Sequence, residues 1–165
     1  MKWTSDPAGG PRCRLPICPH FVFAVCLALG GPGFSQSNEI MDSFLAEEQA
    51  SFGKAAYFVL MAAEMIPEDA TVEAATEELR RRAWKLGPRA ADSPIELGEF
   101  SLLLMRALGI RGGIMYSVFK RPRYAAREMD YRGFVVGKSH PGRSLSGEEA
   151  LRMLSRVLAW QEERT

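Results

Sequence analysis

The segment IELGEFSLLLMRALGI, residues Ile95–Ile110, opens with Glu96 and Glu99, runs through Leu103, Leu104, Ala107 and Leu108, and stops at Gly109. Apolar residues three and four apart share one face of an α-helix, and acidic residues in the first turn suit the positive end of its dipole. At an offset of 50 residues, LSGEEALRMLSRVLAW follows the same scheme. Ser146 stands three residues before Glu149 as in a capping box, and Met153, Leu154, Val157 and Leu158 form the apolar stripe.

The likeness extends upstream without a gap. Ala75 meets Ala125, Glu78 meets Glu128, Leu79 meets Met129, Arg82 meets Arg132, Trp84 meets Phe134 and Gly87 meets Gly137. Large apolar residues, a glycine and a glutamate keep one register, and repetition explains that better than chance. Each copy starts with a helical string, ATVEAATEELRRRAWKLG or RPRYAAREMDYRGFVVGK, in which Ala75, Leu79 and Ala83, or Ala125 and Met129, recur at fourfold spacing. Gly87 and Gly137 stand where a chain reversal is expected, because glycine alone takes positive φ cheaply. The connections PRAADSP and KSHPGRS are rich in turn-forming residues. A weaker copy, SFGKAAYFVLMAAEMI, aligns when Gly53 meets Gly98, Leu60 meets Met105 and Ala62 meets Ala107, but NEIMDSFLAEEQA before it resembles neither first half. The expectation is an all-α chain: two helix–loop–helix repeats at about 71–110 and about 121–160, after a partial N-terminal repeat at about 41–66.

Residues 1–35 read differently. Lys2, Arg12 and Arg14 precede a short apolar run, ICPHFVFAVCLALGG, and small residues at Gly33 and Ser35 suit a signal peptidase. That layout is the one expected of a secretory leader, and the run is too short and interrupted for a membrane span. Residues 36–165 would then form the exported domain, placed in the periplasm or cell envelope. All three cysteines, Cys13, Cys18 and Cys26, fall in the leader, so the exported part would hold neither a disulfide nor a thiolate metal site. With the leader's charges removed the rest is nearly neutral. Apolar residues at 47% and charged residues at 25% describe a chain that buries a core and offers nucleic acid no global attraction.

A unit of about fifty residues with two helices, an aromatic and a glycine closing its first half, and a Glu-containing start to its second half resembles the S-layer homology repeat. The family pattern ITRAEF…LLVRALGL is similar to IELGEFSLLLMRALGI, and YRGFVVGKSHPGRSLSGEEALRMLSRVL is similar to the loop and helix of a last repeat. The resemblance implies a three-repeat helical unit that anchors exported proteins to envelope polymers without catalysis. The family's polymer-contacting arginine, second in TRAE, is matched here by Leu97 and Gly147, and by Phe52 in the weak copy. None carries charge, so the implied fold comes without the implied ligand site.

No catalytic residue, metal or cofactor is expected. His140 is the one histidine after the leader and sits in the turn-like string SHPG. GIRGGIM lacks the lysine and the spacing of phosphate-cradling loops and reads as a helix stop with a tight connection. The pairs Glu47–Glu48, Glu77–Glu78 and Glu148–Glu149 are sequence neighbours that diverge around a helix and do not converge as an acid and base. AAYFVLMAAEMI is too short to span a bilayer and reads as a core helix. One stretch, RGGIMYSVFKRPRYAAR, interleaves cations and aromatics with no acid: Arg111, Tyr116, Lys120, Arg121, Arg123, Tyr124 and Arg127 are the candidate partner-binding residues. The plainer reading is a linker whose aromatics pack inward while its charges are solvated. The expected function is a non-enzymatic envelope scaffold or binding module, using grooves between repeats and this connection to hold an envelope protein or cell-wall polymer. No nucleic acid is expected, and a membrane only peripherally. The alternative is a protein-binding accessory or assembly subunit of a larger periplasmic machine.

Overall fold

The computed structural model describes residues 33–164 apart from 85 and 88, with side chains from Asn38 onward. The leader expected over residues 1–35 therefore lies almost wholly outside the described residues. The chain divides into two units, Met1–Phe34 and Ser35–Thr165, and the account below concerns the second.

The described residues are all-helical, with no strand. The helices are α1 (Gly33–Leu45), α2 (Phe52–Ala62), α3 (Val72–Arg82), α4 (Leu97–Ala107), α5 (Ile114–Phe119), α6 (Pro122–Tyr131) and α7 (Gly147–Glu162). Local chemistry sets their ends. Thr71 accepts a hydrogen bond from the Ala74 amide at the start of α3, and Arg80, Arg81 and Arg82 sit at its negative end. Pro122 opens α6, where its missing N–H costs nothing. Ser146 accepts from the Glu149 amide while Glu149 accepts from the Ser146 amide, the capping box expected at α7.

Three backbone hydrogen bonds close a cycle at the centre. The Ala50 amide donates to the Leu145 carbonyl (2.7 Å), the Ile95 amide to the Ala50 carbonyl (2.8 Å), and the Leu145 amide to the Ile95 carbonyl (3.3 Å). All three residues are buried, and each immediately precedes the N-cap of α2, α4 or α7. The first amides of those helices have no partner within their own helix. They donate instead to the neighbouring connection: Phe52 and Gly53 to Ser93 and Ala91, Leu97 and Gly98 to Arg143 and Pro141, and Gly147 to Glu47. This close approach demands small residues. A Cβ on Gly147 would collide with the Phe44 carbonyl, and one on Gly98 would press on Pro122 and the Pro141 carbonyl at 3.1 Å.

Around this centre α2 packs on α3 and α4 packs on α6, while α2 also touches α4 and α7. Tyr57, Phe44 and Phe100 are the largest fully buried aromatic side chains of the continuous core, and the Phe44 and Phe58 ring centroids lie 5.2 Å apart. The expected buried stripe on α4 is too narrow a description. Every residue from Leu97 to Met105 is buried, because other elements surround this helix, while Ala107 and Leu108 are only partly covered. The first helices also end earlier than their strings suggest. Ala83, expected on the apolar stripe of α3, is exposed and takes the left-handed conformation that stops the helix (φ 47°, ψ 43°), whereas Gly87 does not. Gly133 (φ 76°) stops α6, and Gly137 (φ 82°) has the positive φ expected of it. After Gly109 (φ 64°), the stretch read as a plain connection contains the short helix α5.

Candidate functional site

The basic and aromatic stretch folds into α5, a left-handed turn at Lys120 (φ 44°), and the first turns of α6. Its side chains sort by depth. Tyr116 faces the core and is 5% exposed; burial raises its phenol pKa, against a smaller opposing pull from the Arg106 guanidinium. Tyr124 is half-buried and stacks on Phe119, centroids 5.4 Å apart. Arg111, Lys120, Arg121, Arg123 and Arg127 are all exposed. The structure therefore keeps the expected cations at the surface, and it removes Tyr116 from any contact surface.

The residues that sequence reasoning passed over are aliphatic. Ile114 is 83% exposed, Val118 66%, Met115 59% and Phe119 44%, so α5 presents apolar side chains to solvent, with exposed cations before and after it in the chain. A six-residue helix is too short to display a period, so nothing in the pattern assigned its faces. One acid does approach its start: Glu128, half-buried, whose carboxylate lies against Gly113. Apolar side chains clustered at a surface point to a partner or a membrane more often than scattered ones do.

The helix starts where the S-layer homology pattern would place its ligand are occupied by the protein itself. Leu97 and Gly147 are buried, as is Phe52, and their amides are spent on loop carbonyls. Their acidic neighbours are paired too: Arg89 meets Glu99 at 2.8 Å, Arg143 holds both carboxylate oxygens of Glu149, and Arg152 pairs with Glu148. The crevice lined by Leu97, Arg143, Leu145 and Glu149 has a volume of about 10 Å³, enough for roughly one water molecule. The expected groove between units is closed at this point.

A larger hollow of about 420 Å³ lies elsewhere, among Gly109, Ile110, Arg111, Arg132, Trp160, Gln161 and Arg164. The Arg132 and Arg164 guanidinium carbons lie 5.0 and 4.8 Å from the centroid of the Trp160 ring. Phe134 meets that ring edge-on at 5.8 Å. Gln161 donates to the Leu108 carbonyl at 2.9 Å, and Arg132 donates to the Arg111 carbonyl. Only Arg111 of this group stood out in the sequence. The available signal was the match of Arg132 with Arg82, since Arg82 likewise lies over Trp84 (5.6 Å) two residues on.

His140 is exposed, and its Nδ1 accepts from the Gly142 amide, a local turn contact. Among the described residues no cluster of His, Cys, Asp and Glu could hold a metal ion, and no helix is long and apolar enough to cross a membrane. Compared with protein-family models, curated proteins and solved structures, the chain matches none.

Proposed function

We propose that this chain is a non-enzymatic, exported binding module of the cell envelope, built from three divergent units of the S-layer homology kind. The cyclic bonding of Ala50, Ile95 and Leu145, with equivalent donations from the helix starts that follow, supports the threefold reading. So does the placement of Gly53 and Gly98, aligned by sequence, at the second positions of α2 and α4. The leader-like composition of residues 1–35 supports export.

The working surface in this reading is the outer face of α5. The observation that carries it is the exposure of Ile114, Met115, Val118 and Phe119, with exposed cations before and after them in the chain. Aliphatic side chains gain nothing from a hydrated polysaccharide, but they are buried favourably against another protein, with the cations steering an acidic one. The partner is therefore an acidic envelope protein. The same observation favours the second reading, an accessory or assembly subunit of a larger periplasmic machine.

The test is retention of the full chain on washed envelopes and on purified peptidoglycan, together with co-purification from envelope extract. A stable co-purifying protein is expected, lost when Ile114 and Val118 become Ser or when Lys120, Arg121 and Arg123 become Glu. Retention on bare peptidoglycan that survives these changes would overturn the protein-partner reading.

A further inference from the structure

We propose that the hollow bounded by the ends of α4, α6 and α7 is a binding site for a phosphate group. It shares Arg111 with the basic stretch but none of the exposed apolar residues of α5, and it does not depend on the envelope reading. Three guanidinium groups line it, those of Arg111, Arg132 and Arg164, and its lining contains no carboxylate. None of the three is in an ion pair among the described residues; the pairs found there engage Lys54, Arg80, Arg81, Arg82, Arg89, Arg143 and Arg152 instead.

Such an arrangement is unfavourable unless something offsets it, because like charges in one hollow repel. A cation near the negative end of α7 gains from the helix dipole, but that effect is small and does not explain three. Stacking explains how two of them are held. Arg132 and Arg164 both lie over Trp160, which Phe134 fixes from its edge. A guanidinium stacked on an indole keeps its N–H edge free in its own plane, and that edge matches two oxygens of a phosphate. Arg132 spends one amino group on the Arg111 carbonyl, tying the segment that carries the third cation to the same place. Gln161, anchored to Leu108, adds a polar side chain at the border. A hollow of about 420 Å³ accommodates more than an isolated ion, so the ligand is a phosphate ester, free or as a lipid headgroup.

The two sources separate in one experiment on the full chain. The Trp160 indole N–H is followed by NMR during titration with inorganic phosphate, with acetate as control. A parallel arm measures sedimentation with phosphatidylcholine vesicles with and without phosphatidic acid. Saturable movement of the Trp160 signal is expected, with a dissociation constant in the millimolar range for the bare ion. Arg132→Gln or Arg164→Gln should each weaken it about tenfold, the loss of one charge-assisted contact. Arg127→Gln, on the other surface, should leave it unchanged. Phosphatidic-acid-dependent sedimentation that inorganic phosphate reverses identifies a headgroup; its absence alongside the NMR response identifies a soluble ester. An unmoved Trp160 signal in the unsubstituted protein, or equal movement with acetate, would overturn the proposal whether or not the variants fold.

Discussion

Glu47 takes over at the start of α2 a duty that Glu99 and Glu149 perform at the starts of α4 and α7. In α4 and α7 the third helical residue is glutamate, which accepts from the N-cap amide (3.3 and 3.2 Å) and pairs with an arginine from the preceding connection. The third residue of α2 is Lys54, which cannot accept. Glu47 comes from upstream, accepts from the Ser51 amide at 2.7 Å and pairs with Lys54 at 2.7 Å. The ion pair is kept with its charges exchanged. Burial pushes the Glu47 carboxyl up, but the contacts from Lys54 and Ser51 outweigh that and hold its pKa below the ordinary 4.5. A carboxylate lowered on folding stabilises fully above its unfolded pKa, and the contribution drains away as pH falls through the lower folded value. Glu47→Gln should therefore cost about 1 kcal/mol at neutral pH and flatten the acid side of the stability profile, measured by urea unfolding across pH. Glycines offer a sharper contrast. Gly147→Ala should destabilise by several kcal/mol or abolish folding, since Phe44 backbone fills the space, whereas Gly87→Ala, in open space, should stay within about 0.5 kcal/mol by thermal melting. In the sequence this exchange shows only as Lys54 aligned with Glu99, a mismatch, although each of the two serves an ion pair at its helix start.

At the scale of elements, α5 divides its residues between two roles that can be separated. Tyr116→Ala, in the core, should cost about 3 kcal/mol, while Ile114→Ser and Val118→Ser should each change stability by less than about 0.5 kcal/mol, both read from chemical unfolding. Loss of partner binding without loss of stability in the latter pair would then belong to the surface alone. The end of α3 gives another case. Ala83 is held at φ 47°, a conformation that costs an L-residue about 1–2 kcal/mol, so Ala83→Gly should raise the melting temperature despite the added chain entropy. Long elements were legible in advance because α4 and α7 carry period and caps, and both start within a residue or two of the expected position. The early stop of α3 was not legible. Ala83 fits a helical stripe perfectly well, and what it does is set by the turn that follows, not by its own preference. The same limit hid α5, which is shorter than two turns and lies between glycines and a proline.

For the whole described domain, the ring at Ala50, Ile95 and Leu145 decides how stability is shared. In an open array of units each contacts only its sequence neighbours, and the ends fray first. Here the first connection bonds to the last, since the Ala50 amide reaches the Leu145 carbonyl and the Gly147 amide reaches Glu47. The amides of Ala50, Ile95 and Leu145 should accordingly exchange with solvent only by global unfolding, with protection equal within about 0.5 kcal/mol, as measured by native-state hydrogen exchange. Protection that falls from one end of the chain to the other would count against closure. Sequence comparison revealed an offset but not this closure, because a backbone bond between Ala50 and Leu145 leaves no mark in the identity of either residue. The hollow at Trp160 was hidden for a related reason: Arg111, Arg132 and Arg164 are far apart in the chain, and only the return of α7 gathers them. Closure also bears on how such a protein can change in size. Every amide and carbonyl in the cycle is already bonded, so these three positions offer no free backbone group with which another segment could pair. Added residues are therefore tolerated in the loops and not in the cycle, where an insertion beside Ala50, Ile95 or Leu145 would break two backbone bonds at once.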